Sequence, residues 1–144
     1  MIRKSMVIGL WFVAASSFAD GCPDINNMAF QTVAQYNQYR TSVTGQYTFP
    51  DFSAEAPYFP ITFGQVKYVY LSNAQGVNKK PPFVGKPACY LSWRDVFSNQ
   101  RDALVYVPYQ AQTTSSDWVP MDNTTAVCTD QGNAQGTCSF SRVG

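Results

Sequence analysis

The chain holds nine Asp and Glu side chains and no histidine, and those two facts sort the chemistry open to it. Without imidazole there is no Ser–His or Cys–His nucleophile, no base poised near neutral pH and no commonest zinc ligand. Cys22, Cys89, Cys128 and Cys138 lack C-x-x-C spacing, so they indicate neither a zinc cluster nor a thioredoxin-type pair. No glycine-rich phosphate loop occurs, and no cofactor is expected. Catalysis would fall to a pair of carboxylates acting on a glycosidic bond. The acids available are Asp20, Asp24, Asp51, Glu55, Asp95, Asp102, Asp117, Asp122 and Asp130.

Two of those acids sit in a stretch that supplies its own neutralising partners. From Ala88 to Pro108 the chain reads as two strands folding back on each other, with Arg94-Asp95 recurring as Arg101-Asp102. If it reverses about Ser98, Arg94 meets Asp102 and Asp95 meets Arg101, an opposite-charge cross-strand arrangement. The same register sets Cys89 against Val107, Leu91 against Val105 and Trp93 against Ala103 on an apolar face. Tyr90 then faces Tyr106, and Ser92 faces Leu104, on the other side. A one-residue slip would send every side chain to the wrong face. An arginine beside each acid lowers its pKa and unfits it as a proton donor, so a solvated ion-pair neck is expected here. No catalytic residue is assigned.

Aromatics are the richer signal. Tyr36, Tyr39, Tyr47, Phe49, Phe52, Tyr58 and Phe59 crowd a stretch that also holds Pro50, Pro57 and Pro60. Tyr offers a large contact area with a polar tip, so Tyr36, Tyr39, Tyr47, Tyr58 and Phe59 form a candidate binding surface for a sugar or a protein. The competing use of the same residues is the core and edge cover of a small β domain.

The start of the chain reads as an export signal. Arg3 and Lys4 make a positive n-region, Met6 to Ala15 an apolar run, and Ser17-Phe18-Ala19 a small-x-small cleavage site. Residues 1–19 are read as the signal and 20–144 as one exported domain, secreted or periplasmic. The apolar run stops at Ser16-Ser17, short of the roughly 18 residues that a span needs, so no stable membrane anchor is expected. Lipidation of Cys22 is the alternative, and it would strand three thiols. Four cysteines in an oxidising compartment fit two disulfides. Removing Arg3 and Lys4 takes ten basic residues to eight against nine acidic, a net charge of −1. No basic stripe remains, and nucleic acid is not expected as a partner. Only 13 % of residues are charged, about half the usual quarter.

The elements predicted from patterning are mostly short strands. Ile25 to Arg40 reads two ways, as a helix capped by Asp24 or as a strand at Met28 to Val33. A strand at Gln46 to Phe49 lies among prolines, and Gln65 to Leu71 is the most β-like run, closed by a turn at Asn73-Ala74-Gln75-Gly76. Lys79 to Pro87 is a stiff connection and Gln110 to Ser116 a polar loop. Thr124 to Thr129 and Thr137 to Arg142 form a second hairpin about a glycine-bearing turn. In that hairpin Cys128 faces Cys138, and Ala126 faces Phe140. Cys22 then pairs with Cys89, although Cys89 could instead take Cys128 or Cys138 from a neighbouring strand. The fold expected is mainly β, a small antiparallel sandwich or curled sheet held by disulfides, with at most one N-terminal helix.

An export signal, Cys22-Pro23-Asp24, Cys89-Tyr90 on a mid-chain strand, Trp118, and a closing Cys128 with Cys138-Ser139-Phe140 resemble a family of short exported bacterial proteins. That family has no known function and is found in Legionella-like and other Gram-negative bacteria. The resemblance implies a secreted or periplasmic disulfide-stabilised β domain and brings no catalytic residue. Function is read first as a non-catalytic module binding a protein or glycan. The alternatives are an enzyme inhibitor that plugs a site with Lys79 to Pro87, and a carboxylate-dependent glycan-active enzyme.

Overall fold

The computed structural model describes residues 21–75, 80–129 and 138–143. The expected export signal, Gly76, Lys79 and the second glycine-bearing turn lie outside them. The elements open with β1 (Ala29–Phe30), α1 (Val33–Ser42), a 3₁₀ helix (Ser53–Tyr58) and β2 (Ile61–Gln75). They continue with β3 (Val84–Arg94), β4 (Gln100–Tyr106), β5 (Ala111–Thr113), β6 (Val119–Pro120), β7 (Ala126–Thr129) and β8 (Phe140–Arg142). All eight strands belong to one antiparallel sheet, ordered β6-β7-β2-β3-β5-β8, with β1 on β2 and β4 on β3.

The long strands β2 and β3 are the spine, because their alternation gives the sheet one apolar side. Phe63, Val69, Leu71, Cys89, Leu91 and Trp93 are buried and face Val105 from β4 and Ala126 and Cys128 from β7, which are also buried. Register shifts on β2 after Phe63, Val66 and Ser72 bend it, since an unpaired residue increases local twist. The sheet curls until its ends meet. Cys128 on β7 is bonded to Cys138 just before β8, and the Trp118 indole donates to Ser139 O at 3.1 Å. β7 pairs with β2 and β6, and β8 with β5. The expected second hairpin, with Ala126 facing Phe140, is therefore not formed, although its disulfide is.

The central hairpin forms with a register two residues away from the one expected. Cys89 faces Val105, Leu91 faces Ala103, Ser92 faces Asp102, and Arg94 faces Gln100. The reason is the turn. Asp95 Oδ1 accepts from Phe97 N at 2.9 Å and Asn99 N at 3.0 Å, and Ser98 takes φ 65°. Together they close a three-residue loop centred on Phe97, with a left-handed third position. A slip of two preserves the faces, so the apolar pattern is kept while the Arg94–Asp102 pair is lost.

Both readings of residues 25–40 are partly realised: β1 adds to β2 at Ala29–Phe30, and the helix starts later, at Val33. Thr32, not Asp24, is the cap, its hydroxyl accepting from Gln35 N at 3.2 Å. The strand expected at Gln46 to Phe49 is reduced to one bridge, Thr48 to Tyr106. The turn expected at Asn73 is a bulge, with Asn73 at φ 52° inside β2. Lys79 to Pro87 is only partly a connection, because β3 begins at Val84 and pairs with β5, which itself occupies the expected polar loop.

Cys22 is bonded to Cys89 in the core, which ties the N-terminal segment to the spine. By the chain-entropy relation the 67-residue separation of this pair corresponds to roughly 4 kcal/mol, and the 10-residue separation of Cys128 and Cys138 to roughly 3 kcal/mol. Urea unfolding of Cys22→Ser/Cys89→Ser and Cys128→Ser/Cys138→Ser variants should show both losses, the first larger. Equal stability of wild type and either variant would contradict this.

Candidate functional site

Asp20 and Asp130 lie outside the described residues, and of the other acids Asp51, Glu55, Asp95 and Asp122 are engaged separately rather than gathered around one cleft. Asp95 has no accessible side-chain surface, and its Oδ2 accepts from Arg101 Nε at 3.0 Å. The neck is therefore a half-buried pair, a buried carboxylate under a partly exposed guanidinium, not the solvated one expected. Arg101 also reaches Glu55 Oε2 at 3.6 Å, lies 4.1 Å over the Tyr58 ring and 5.5 Å from Trp93. Asp51 caps its own turn through Ser53 and meets Arg40 at 3.7 Å, while Asp122 caps through Thr124. Asp102 has no arginine partner among the described residues, and its carboxylate, beside Tyr90 across the strand pair, holds that phenol above its usual range. No group of three His, Cys, Asp or Glu suited to a metal occurs among the described residues.

The expected aromatic surface is divided by the fold. Tyr36 is wholly buried, its hydroxyl donating to Pro50 O at 2.7 Å, and stacks on Phe52 at 4.8 Å. Burial pushes the Tyr36 phenol well above its usual range, and raises Tyr39 as well. Tyr47 is buried too, donating to Gly21 O. Tyr39, Tyr58 and Phe59 are half-buried. Tyr36, Tyr47, Phe49 and Phe52 belong to the same core as Phe63 and Trp93, with Tyr39 and Phe59 packed against it, while Tyr58 lies on Phe97 and Arg101, so the expected residues do not present one face.

A different aromatic face is exposed, on the outer side of the spine. The registers of four strand pairs carry one row across five strands: Val119, Val127, Tyr70, Ala88 and Tyr106. The next row runs Thr129, Tyr68, Tyr90, Leu104. Tyr68 is 37 % exposed, Tyr106 53 % and Val119 53 %. Tyr68, Tyr70 and Tyr90 form a continuous patch, with ring centroids 5.7 to 6.5 Å apart. Alternation with the buried Val69 and Leu71 was the signal available for it.

This face ends in a polar cleft of about 250 Å³ lined by Asn27, Thr62, Phe63, Gly64, Ser92, Trp93, Arg94 and Gln100. A Cβ on Gly64 would lie 2.8 Å from Ser92 Oγ, so glycine keeps the strands close and the floor open. Asn27 takes φ 70° and is held by its N–H to Phe63 O at 2.9 Å. Arg94 is exposed and has no ion pair among the described residues. No helix among them is long and apolar enough to cross a membrane. No family model matches this chain, and neither a curated protein nor a solved structure matches it.

Burial works to raise the Asp95 pKa, but hydrogen bonds from Asn99 N, Arg101 and Phe97 N outweigh it and hold the carboxyl below its usual range. Because the folded value is the lower one, the stabilisation is complete above the unfolded carboxyl value of about 3.9. It drains away as pH falls through the folded value. Thermal melts should show the Asp95→Asn variant already less stable at neutral pH and its gap to wild type closing below about pH 4. A gap independent of pH would contradict this reading.

Proposed function

We propose that the protein is an exported, non-catalytic binding module whose contact surface is the outer face of β2, β3 and β4. The observation that supports it most is the in-register tyrosine row. Flat, polar-tipped side chains stand exposed on rigid strands, where little conformational freedom is lost on contact. An apolar patch rimmed by polar groups is the ordinary mark of an interaction site. Asp51, Glu55, Asp95 and Asp122 are each committed to a turn or an arginine, which weighs against a carboxylate pair acting as a competing centre. Two disulfides fit an oxidising compartment, and the resemblance to short exported bacterial proteins points the same way.

A cross-linking capture from the exported fraction and a glycan array, run with wild type and a Tyr68→Ser/Tyr106→Ser variant, test this. Both residues are exposed, so the variant should melt close to wild type and lose retained ligand by about tenfold or more. A variant that keeps full binding would place the contact surface elsewhere.

A further inference from the structure

Resting on that reading of the outer face, the geometry points to an acidic saccharide as its ligand. Arg94, in the polar cleft, pairs with the carboxylate of one sugar, while the tyrosine rows stack on the next.

Three observations converge. First, the cleft opposes neutral groups able both to donate and to accept, the Asn27 and Gln100 amides and the Thr62 and Ser92 hydroxyls, which is the pairing that vicinal sugar hydroxyls require. Second, Arg94 brings an unspent charge. Its expected partner Asp102 stands opposite Ser92, diagonal to Arg94, and makes no ion pair with it, and Asp95 and Glu55 are both held by Arg101. A guanidinium fork matches a carboxylate through two parallel hydrogen bonds. Third, Arg94, Ser92 and Tyr90 alternate along one strand, so Arg94 and Tyr90 stand about 13 Å apart at the rise of a β-strand. A short oligosaccharide covers that span and a single sugar does not. The tyrosine rings then take the C–H faces of the sugar beyond the cleft, with their hydroxyls reaching solvent.

The test is an array of uronic-acid, sialic-acid and neutral oligosaccharides probed with the full chain, followed by calorimetric titration of the best acidic one. The proposal expects an acidic oligosaccharide to bind and its affinity to fall as salt rises. Arg94→Gln should lose at least tenfold and Arg94→Lys should recover part of it, with unchanged melting. Neutral oligosaccharides bound as well as acidic ones, with loss in Tyr68→Ser/Tyr106→Ser, would overturn the acidic ligand and leave the face standing. So would binding of a protein but of no saccharide, lost in that same variant. Acidic binding that neither Arg94→Gln nor the tyrosine variant weakens would overturn both the ligand and the face.

Discussion

The pairing of β2 with β3 is the constraint on which the rest of the molecule depends. Tyr68 faces Tyr90, Val69 faces Cys89, and Tyr70 faces Ala88, so a single register decides which side chains become core and which become surface. Cys89 on the inner side receives Cys22, and Phe63 and Trp93 continue the same side into the aromatic core around Tyr36. A one-residue slip of β2 would bury Tyr68 and Tyr70 and expose Val69 and Leu71, a loss of about 1.5–3 kcal/mol for each large aliphatic side chain. Bulges on β2 then turn this flat requirement into a curled one. The ends come close enough for Cys128 and Cys138 to bond, with Cα atoms 5.7 Å apart.

The second layer of the account is electrostatic and follows from one turn. Asp95 spends its carboxylate on two turn amides and on Arg101, which fixes the loop centre at Phe97 and sets Arg94 opposite Gln100, with Asp102 one diagonal step away and not ion-paired to it. Arg101 gathers Asp95, Glu55 and the Tyr58 ring on one side of the sheet. Arg94 is left over on the other side, beside the cleft. The charge that the structure leaves free is thus a consequence of how the hairpin closes. It sits where the aromatic face runs into polar, hydrogen-bonding groups.

Much of this was legible from residue types. Strand alternation and the mainly antiparallel β fold follow from patterning, whereas the Cys22–Cys89 and Cys128–Cys138 pairs are one of the pairings the sequence leaves open, favoured there through a hairpin that does not form. The hairpin register did not follow, because a slip of two keeps every side chain on its face, even though it sets Trp93 against Arg101 in place of Ala103. What decides it is a side-chain-to-backbone contact of Asp95, with Ser98 in the left-handed region. The second hairpin misled for a related reason. A disulfide across a turn looks the same in sequence whether its strands pair with each other or with different neighbours. The aromatic surface was sought in the densest cluster, Tyr36 to Phe59, but density among prolines marks packing under a short helix, as the buried Tyr36, Tyr47, Phe49 and Phe52 show. The exposed tyrosines are instead the ones spaced by two along strands. A long-range cleft such as the one between Asn27 and Gln100 leaves no trace in spacing at all.

Residue-resolved tyrosine modification of the native, unliganded protein, read by mass spectrometry, reports which phenols face water and so distinguishes the outer face of β2 and β3 from the core. The account predicts early modification at Tyr68 and Tyr106, slower modification at Tyr70 and Tyr90, and protection of Tyr36 and Tyr47 until the protein unfolds. Early modification of Tyr36 and Tyr47, with Tyr68 and Tyr106 protected, would contradict both the spine register and the binding face built on it.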